Sequence, residues 1–252
     1  MEELIKVTLI GLFFGTFGTT LGGIIGLTFK STSKKFLSFI LALASGLMMA
    51  IVCFDLIPEA LEITNIPNTL LGILLGIIIM IFCNVLVDKK LKRKTSNAST
   101  INTMLKTGII VSLGLAIHNF PEGLAIGSGM EASFKLGINL AIAICLHDIP
   151  EGISMAVPMK AGGVSKTKII IYIILSGITT GIGAFFGAVV GKVSETIIGI
   201  CLGFAAGAML YIVSGELTPE ANNLYRGKMT AIGNILGILL GIFATLNWND
   251  QI

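Results

Sequence analysis

Residues 44–60 read ASGLMMAIVCFDLIPEA, and residues 205–221 repeat much of this stretch as AAGAMLYIVSGELTPEA. Both end in Pro-Glu-Ala, and Asp55 lies opposite Glu216, which sets an offset of 161 residues. The same offset aligns a second set of small and polar residues: Thr19, Gly22 and Gly26 with Thr180, Gly183 and Gly187. An offset shared by two pairs of apolar segments indicates an internal repeat.

The composition predicts an all-α integral membrane protein. Hydrophobic residues form 54% of the chain, charged residues form 12%, and the mean hydropathy is +0.94. Soluble domains carry about 25% charged residues, so soluble catalysis and nucleic-acid binding are excluded. Apolar stretches long enough to cross a bilayer fall at 4–29, 36–60, 69–87, 105–129, 134–158, 168–191, 195–218 and 229–246. We expect eight transmembrane helices in a single domain over residues 1–252.

The basic residues orient these spans. If all eight cross, 14 of the 17 Lys and Arg collect on one side, and Lys6, Lys135 and Lys192 lie on the other. Basic loops face the cytoplasm, which predicts that both termini are extracytoplasmic. Residues 88–104 are expected to form a cytoplasmic basic loop that anchors the topology; binding of anionic lipid is the alternative.

This orientation makes the repeat an inverted one. Spans one to three run opposite to spans six to eight, and spans four and five lie at the centre. Inverted repeats are typical of transporters, whose substrate site lies near the middle of the membrane where the repeats meet.

Spans four and five carry the motifs that predict the chemistry. Residues 118–123 read His-Asn-Phe-Pro-Glu-Gly, and residues 147–152 read His-Asp-Ile-Pro-Glu-Gly. His and Glu four residues apart share a helix face, and each Pro frees the carbonyl four residues before it. The six candidate ligands are His118, Asn119, Glu122, His147, Asp148 and Glu151. They suit Zn²⁺, Fe²⁺, Mn²⁺ or Co²⁺, although hydrogen-bonded pairs bracing two kinked helices would also explain them.

Acidic residues in other spans predict a cation path. Asp55, Glu59 and Glu62 share a stripe of span two with Met48, and Glu216 and Glu220 end span seven. No Lys or Arg lies deep in a span to neutralise them, so a mobile cation is the expected partner. Met48 is either a thioether ligand or a packing residue.

At these residues the sequence resembles the ZIP (Zrt/Irt-like) family of divalent metal transporters, in its bacterial GufA-like branch. The resemblance implies a central metal site on the fourth and fifth helices, Met48 as a ligand from the second helix, and an acidic path residue at Glu216. It also implies the plasma (inner) membrane of a prokaryote. Thr180 stands where many members of this branch carry a Glu that completes a second metal, so one tight site with a weaker neighbour is expected.

We therefore predict transport of zinc into the cytoplasm, with Fe²⁺, Mn²⁺, Co²⁺ or Cd²⁺ as alternative substrates and no organic cofactor. Metal would lose water at the carboxylates of span two and leave past those of span seven as one repeat rocks against the other. Expected partners are divalent metal ions, membrane lipid and a second copy in a homodimer, with no nucleic acid. The alternatives are an intramembrane metalloprotease, which needs a Glu beside the first His, and a channel or metal sensor.

Overall fold

The fold consists of long helices. The computed structural model describes the backbone of residues 2–29, 33–94 and 100–249, and the side chains of residues 2–29, 33–86 and 116–244. These residues form eight helices and no strand: α1 (Glu2–Thr28), α2 (Lys34–Ile63), α3 (Ile66–Lys94), α4 (Thr100–Ala132), α5 (Phe134–Ala161), α6 (Lys166–Gly191), α7 (Glu195–Leu224) and α8 (Lys228–Asn249). Each helix contains one predicted span, so the all-α prediction is confirmed.

The helices have the length and polarity that a membrane requires. Among the described residues, six are long and apolar enough to cross one: α1, α2, α3, α5, α6 and α7. The apolar part of α8 is shorter and covers Lys228–Ala244. Large apolar side chains of α3, such as Leu74, Ile78 and Phe82, are exposed. Because water would disfavour such a surface, these side chains face lipid.

The predicted long basic loop is wrong in its extent. Residues 88–94 continue α3, and residues 100–104 already belong to α4. Lys, Leu and Arg have high helix propensity, so a charged run at the end of an apolar helix prolongs it. Residues 95–99 lie outside the described residues.

The internal repeat appears in the backbone as two π-helical turns. One covers Val52–Leu56 in α2, and the other covers Val213–Leu217 in α7, again 161 residues apart. Each precedes a proline, Pro58 or Pro219, whose missing N–H leaves a carbonyl without its usual donor. The backbone N–H of Ile57 donates to the Val52 carbonyl five residues earlier, and Thr218 donates to Val213.

Close helix packing follows the same offset. A Cβ placed on Gly46 of α2 would overlap the Asn234 carbonyl of α8, and one on Gly207 of α7 would overlap the Ile73 carbonyl of α3. Corresponding members of the two pairs are 161 residues apart: Gly46 corresponds to Gly207, and Ile73 corresponds to Asn234. The α2–α8 contact is therefore the repeat image of the α7–α3 contact, which supports the predicted inverted repeat.

The central helices α4 and α5 each cross a repeat-related helix at a glycine. A Cβ on Gly152 of α5 would overlap the Thr19 carbonyl of α1, and one on Gly123 of α4 would overlap the Thr180 carbonyl of α6. Only glycine permits such an approach of two backbones. These two crossings place α5 against α1 and α4 against α6, in each case one residue beyond the His-x-x-Pro-Glu sequence.

Packing divides the helices into two groups that mix the repeats. Helix α6 packs extensively against α4 and α1, α1 packs against α5, and α5 contacts α4; α2 pairs with α8 as α3 pairs with α7. Helices α5 and α4 contact α2 and α7 across the boundary between the groups. The two motifs lie in the first group.

Candidate metal site

The two motifs place six polar side chains inside the helix bundle. Asn119, Glu122, His147, Asp148 and Glu151 have no exposed surface, and His118 is 4% exposed. Pro121 and Pro150 lie inside continuous helices. Burial of this many ionisable groups is costly unless they bind one another or a metal.

The histidines and glutamates contact each other across the two helices. The Nε2 atom of His118 lies 2.5 Å from Oε1 of Glu151, and Nε2 of His147 donates to Oε1 of Glu122 at 3.0 Å. Contacts within one helix are longer: 3.5 Å from His118 to Glu122. The pairs are therefore exchanged between α4 and α5, and each helix supplies an imidazole and a carboxylate to a common centre.

The geometry also suits a metal ion. Ligand atoms of Glu122, His147 and Asp148 lie within 4.8 Å of one another. The Asp148 carboxylate is 3.5 Å from Nε2 of His147, and neither of its oxygens has a hydrogen-bond partner. Imidazole with carboxylate is a donor set for zinc and its first-row neighbours. Buried oxygens without a hydrogen-bond partner are suited to bind a cation.

Asn119 is held by a neighbour that the sequence did not reveal. Its Nδ2 donates to the carbonyl of Ser176 on α6 at 3.1 Å, which leaves Oδ1 buried and without a partner. The amide thus presents its oxygen to the interior.

Thr180 lies on α6, where its backbone crosses α4 at Gly123, the residue after Glu122. Its side chain is fully buried, its Oγ1 atom has no hydrogen-bond partner, and its carbonyl contacts the position of Gly123. The repeat-related Thr19 differs, because its hydroxyl donates to the Gly15 carbonyl at 2.6 Å. Thr180 therefore offers a single neutral oxygen where a carboxylate would add charge.

A cavity connects the centre to one end of the bundle. It has a volume of about 550 Å³ and is lined by His118 and Glu151 at its deep end. Glu216 and Glu220 of α7 line the same cavity. Four of the predicted residues thus share one continuous space.

The remaining predicted residues lie elsewhere. Asp55 and Glu59 are half-buried on the second part of α2, and Glu62 is exposed. None of the three lines the cavity described above. Met48 is fully buried in the main apolar core, which fits its packing interpretation.

Asn84 of α3 is a second polar residue that the sequence reasoning did not select. Its Nδ2 donates to Oε1 of Glu216 at 2.5 Å and to the Tyr211 hydroxyl at 3.4 Å. The available signal was an amide inside the otherwise apolar span 69–87.

Inverted helical repeats are typical of membrane transporters, and buried imidazole with carboxylate is a donor set for metal ions. The sequence profile of the ZIP zinc transporter family matches residues 88–247, well over half of the 252-residue chain. The chain belongs to the ZIP family. Membership in a family of transporters favours the transport prediction over the metalloprotease alternative.

Individual relatives of this chain are also named zinc transporters. Zinc transporter ZupT of Corynebacterium aurimucosum is 30% identical over 128 residues, which cover 45% of this chain and 48% of that protein. The ZupT of Oceanobacillus iheyensis is 28% identical over 143 residues, covering 50% and 53%. The chain thus spans about half the length of the curated relatives it matches.

Proposed function

We propose that this protein carries divalent transition-metal ions, zinc foremost, across the membrane into the cytoplasm. The observation that carries the proposal is the exchanged pairing of His118 with Glu151 and of His147 with Glu122 at the centre of the bundle. Metal would bind between these four side chains, with Asp148 and Asn119 beside them.

Charge supports a metal over a purely structural role. Three buried carboxylates meet two imidazoles here, and no Lys or Arg forms an ion pair with them among the described side chains. Repulsion between the carboxylates makes the metal-free centre unfavourable. A divalent cation relieves that repulsion and supplies the missing partners of the buried oxygens.

The cavity supports release toward the cytoplasm. It leads from His118 and Glu151 to Glu216 and Glu220, at the end of the bundle that the basic residues assign to the cytoplasm. We assign these two glutamates to the exit. Asp55, Glu59 and Glu62 at the opposite end of α2 would collect hydrated metal, an assignment that rests on their shared helix stripe and their charge.

The packing suggests which parts move. Because α1, α4, α5 and α6 pack together, the metal site belongs to one four-helix group. Movement of this group against α2, α3, α7 and α8 would change access from one side to the other. In this proposal the two moving parts are packing groups that each contain helices of both repeats, and not the two sequence repeats themselves.

Uptake of radioactive zinc by purified protein in liposomes tests the function. The Glu122→Gln, Glu151→Gln double variant keeps the side-chain volumes and removes both charges, so uptake should fall to the level of empty liposomes. Glu195→Gln is the matched control because Glu195 is an exposed acid in the first turn of α7. Uptake by the double variant at the wild-type rate would overturn the proposal.

A further inference from the structure

Glu216 is held by an amide on a neighbouring helix. Asn84 lies near the end of the described side chains of α3, and its Nδ2 donates to Oε1 of Glu216 at 2.5 Å. The same Nδ2 reaches the Tyr211 hydroxyl of α7 at 3.4 Å. The contact is set by the close α3–α7 packing, in which a Cβ on Gly76 would overlap the Phe204 carbonyl.

The group that contacts this carboxylate is neutral: it is the Asn84 amide, which also donates to the Tyr211 hydroxyl. A Lys or Arg in its place would cancel the charge of Glu216, and none forms an ion pair with it among the described side chains. An amide donor fixes the position of a carboxylate and leaves its charge available. Glu216 therefore keeps an attraction for a passing cation.

The position of the carboxylate is also determined by the backbone. Glu216 lies in the π-helical turn Val213–Leu217, and the Tyr211 ring lies against Gly215 of the same turn. π-Helical turns inside α-helices often mark functional sites because they redirect side chains. Here the turn, with Asn84, directs Glu216 to the wall of the cavity that His118 and Glu151 also line.

The arrangement differs between the two repeats. Asp55 is the repeat partner of Glu216, but Ala50 occupies the position that corresponds to Tyr211. None of the described side chains hydrogen-bonds to Asp55. Among the described side chains, the positioned carboxylate is thus the one at the Glu216 end of the path.

We propose that Asn84 is a positioning residue that, together with Tyr211, holds the Glu216 carboxylate at the cavity wall, where it draws metal from the central site toward the exit. The inference rests on the proposed transport function. It assigns a role in release to a residue that cannot itself bind the metal at the central site.

A double-mutant cycle on zinc uptake in liposomes tests this role. The variants are Asn84→Ala, Glu216→Gln and the two combined, each normalised to the amount of folded protein eluting as a single peak. Loss of a hydrogen bond to a partly exposed charged group should lower the maximal rate about threefold. Because release follows binding, slowing it should lower the maximal rate and the KM for external zinc together and leave their ratio unchanged. In the Glu216→Gln background, Asn84→Ala should have no further effect.

Asn68→Ala is the matched control. Asn68 lies on the same helix, is half-buried like Asn84, and its amide donates to Thr64 at 3.2 Å, far from the cavity. We expect the wild-type rate for this variant. If Asn84→Ala does not yield folded protein, Asn84→Leu, which keeps the volume and removes the donor, should lower the maximal rate and again have no effect beside Glu216→Gln.

The outcomes separate the two proposals. A wild-type rate for Asn84→Ala, or equal losses with and without Glu216, would overturn the positioning role while transport stands. An absence of zinc uptake by the wild-type protein itself would overturn the transport function and this inference with it.

Discussion

His147 on α5 donates a hydrogen bond of 3.0 Å to Glu122 on α4, although the two residues are 25 positions apart. His118 and Glu151 make the reciprocal contact. The centre is therefore built by two helices together, because the shorter His–Glu contacts run between the two motifs and not within one.

We predict that Glu122→Gln changes stability in opposite directions with and without metal. Without zinc, the variant should melt at or above the wild-type temperature, because one of three clustered buried charges is gone. With zinc at 100 times the wild-type Kd, binding should stabilise the wild-type protein by about 2.7 kcal/mol. The variant should lose most of that gain, as measured by thermal unfolding in detergent.

Glu195→Gln is the control for this prediction and should keep the full zinc-induced shift. An equal shift in Glu122→Gln and the wild-type protein would show that Glu122 does not bind zinc.

We predict that Gly152→Ala destabilises the bundle. The added Cβ would overlap the Thr19 carbonyl, and two helix backbones must separate to admit it. Overpacking of this kind costs about 1–3 kcal/mol, visible as a lower melting temperature. Gly215→Ala is the comparison, since its Cβ would lie 3.6 Å from the Tyr211 ring, an ordinary contact. Equal melting temperatures for the two variants would contradict the close crossing of α1 and α5.

We predict that Lys160 stabilises the end of α1. Its Nζ donates to the carbonyls of Leu27 and Phe29 at 2.7 Å and 2.6 Å. A cation at a helix C-terminus satisfies carbonyls that have no helical partner. Lys160→Met should therefore lower stability by about 1–2 kcal/mol in thermal unfolding and leave zinc affinity unchanged. Lys166→Met, at an exposed lysine, should change neither quantity.

Much of this fold could be predicted because its signals are local or repeated. Spans follow from runs of apolar residues, and the repeat follows from the offset between Asp55 and Glu216. The candidate ligands stand out because His118 and His147 are the two histidines in the chain. Their cross-helix pairing could not be predicted, since spacing within a helix indicates contacts four residues apart. The structure instead brings His118 closer to Glu151 than to Glu122.

Other features depend on tertiary packing. Pro58 and Pro219 are visible in the sequence, but the π-helical turns before them depend on how α2 and α7 pack against their neighbours. The role of Asn84 likewise required the crossing of α3 and α7. The basic run at 88–94 belongs to a helix and not to a loop because Lys, Leu and Arg favour helix as well as solvent exposure.

We predict that Thr180 limits the number of tightly bound metal ions to one. Its hydroxyl is buried and has no hydrogen-bond partner, as is true of oxygens of Asn119 and Asp148, but a hydroxyl brings no charge. A second divalent cation would repel the first, so it needs a further carboxylate to bind tightly. Thr180→Glu should raise the bound zinc from one to two per chain in equilibrium dialysis with metal analysis. The Thr180→Gln variant has a side chain of the same volume as Glu but no charge, so it should bind one zinc per chain. Two zinc ions in the wild-type protein, or in both variants, would show that the residue at 180 does not set the count.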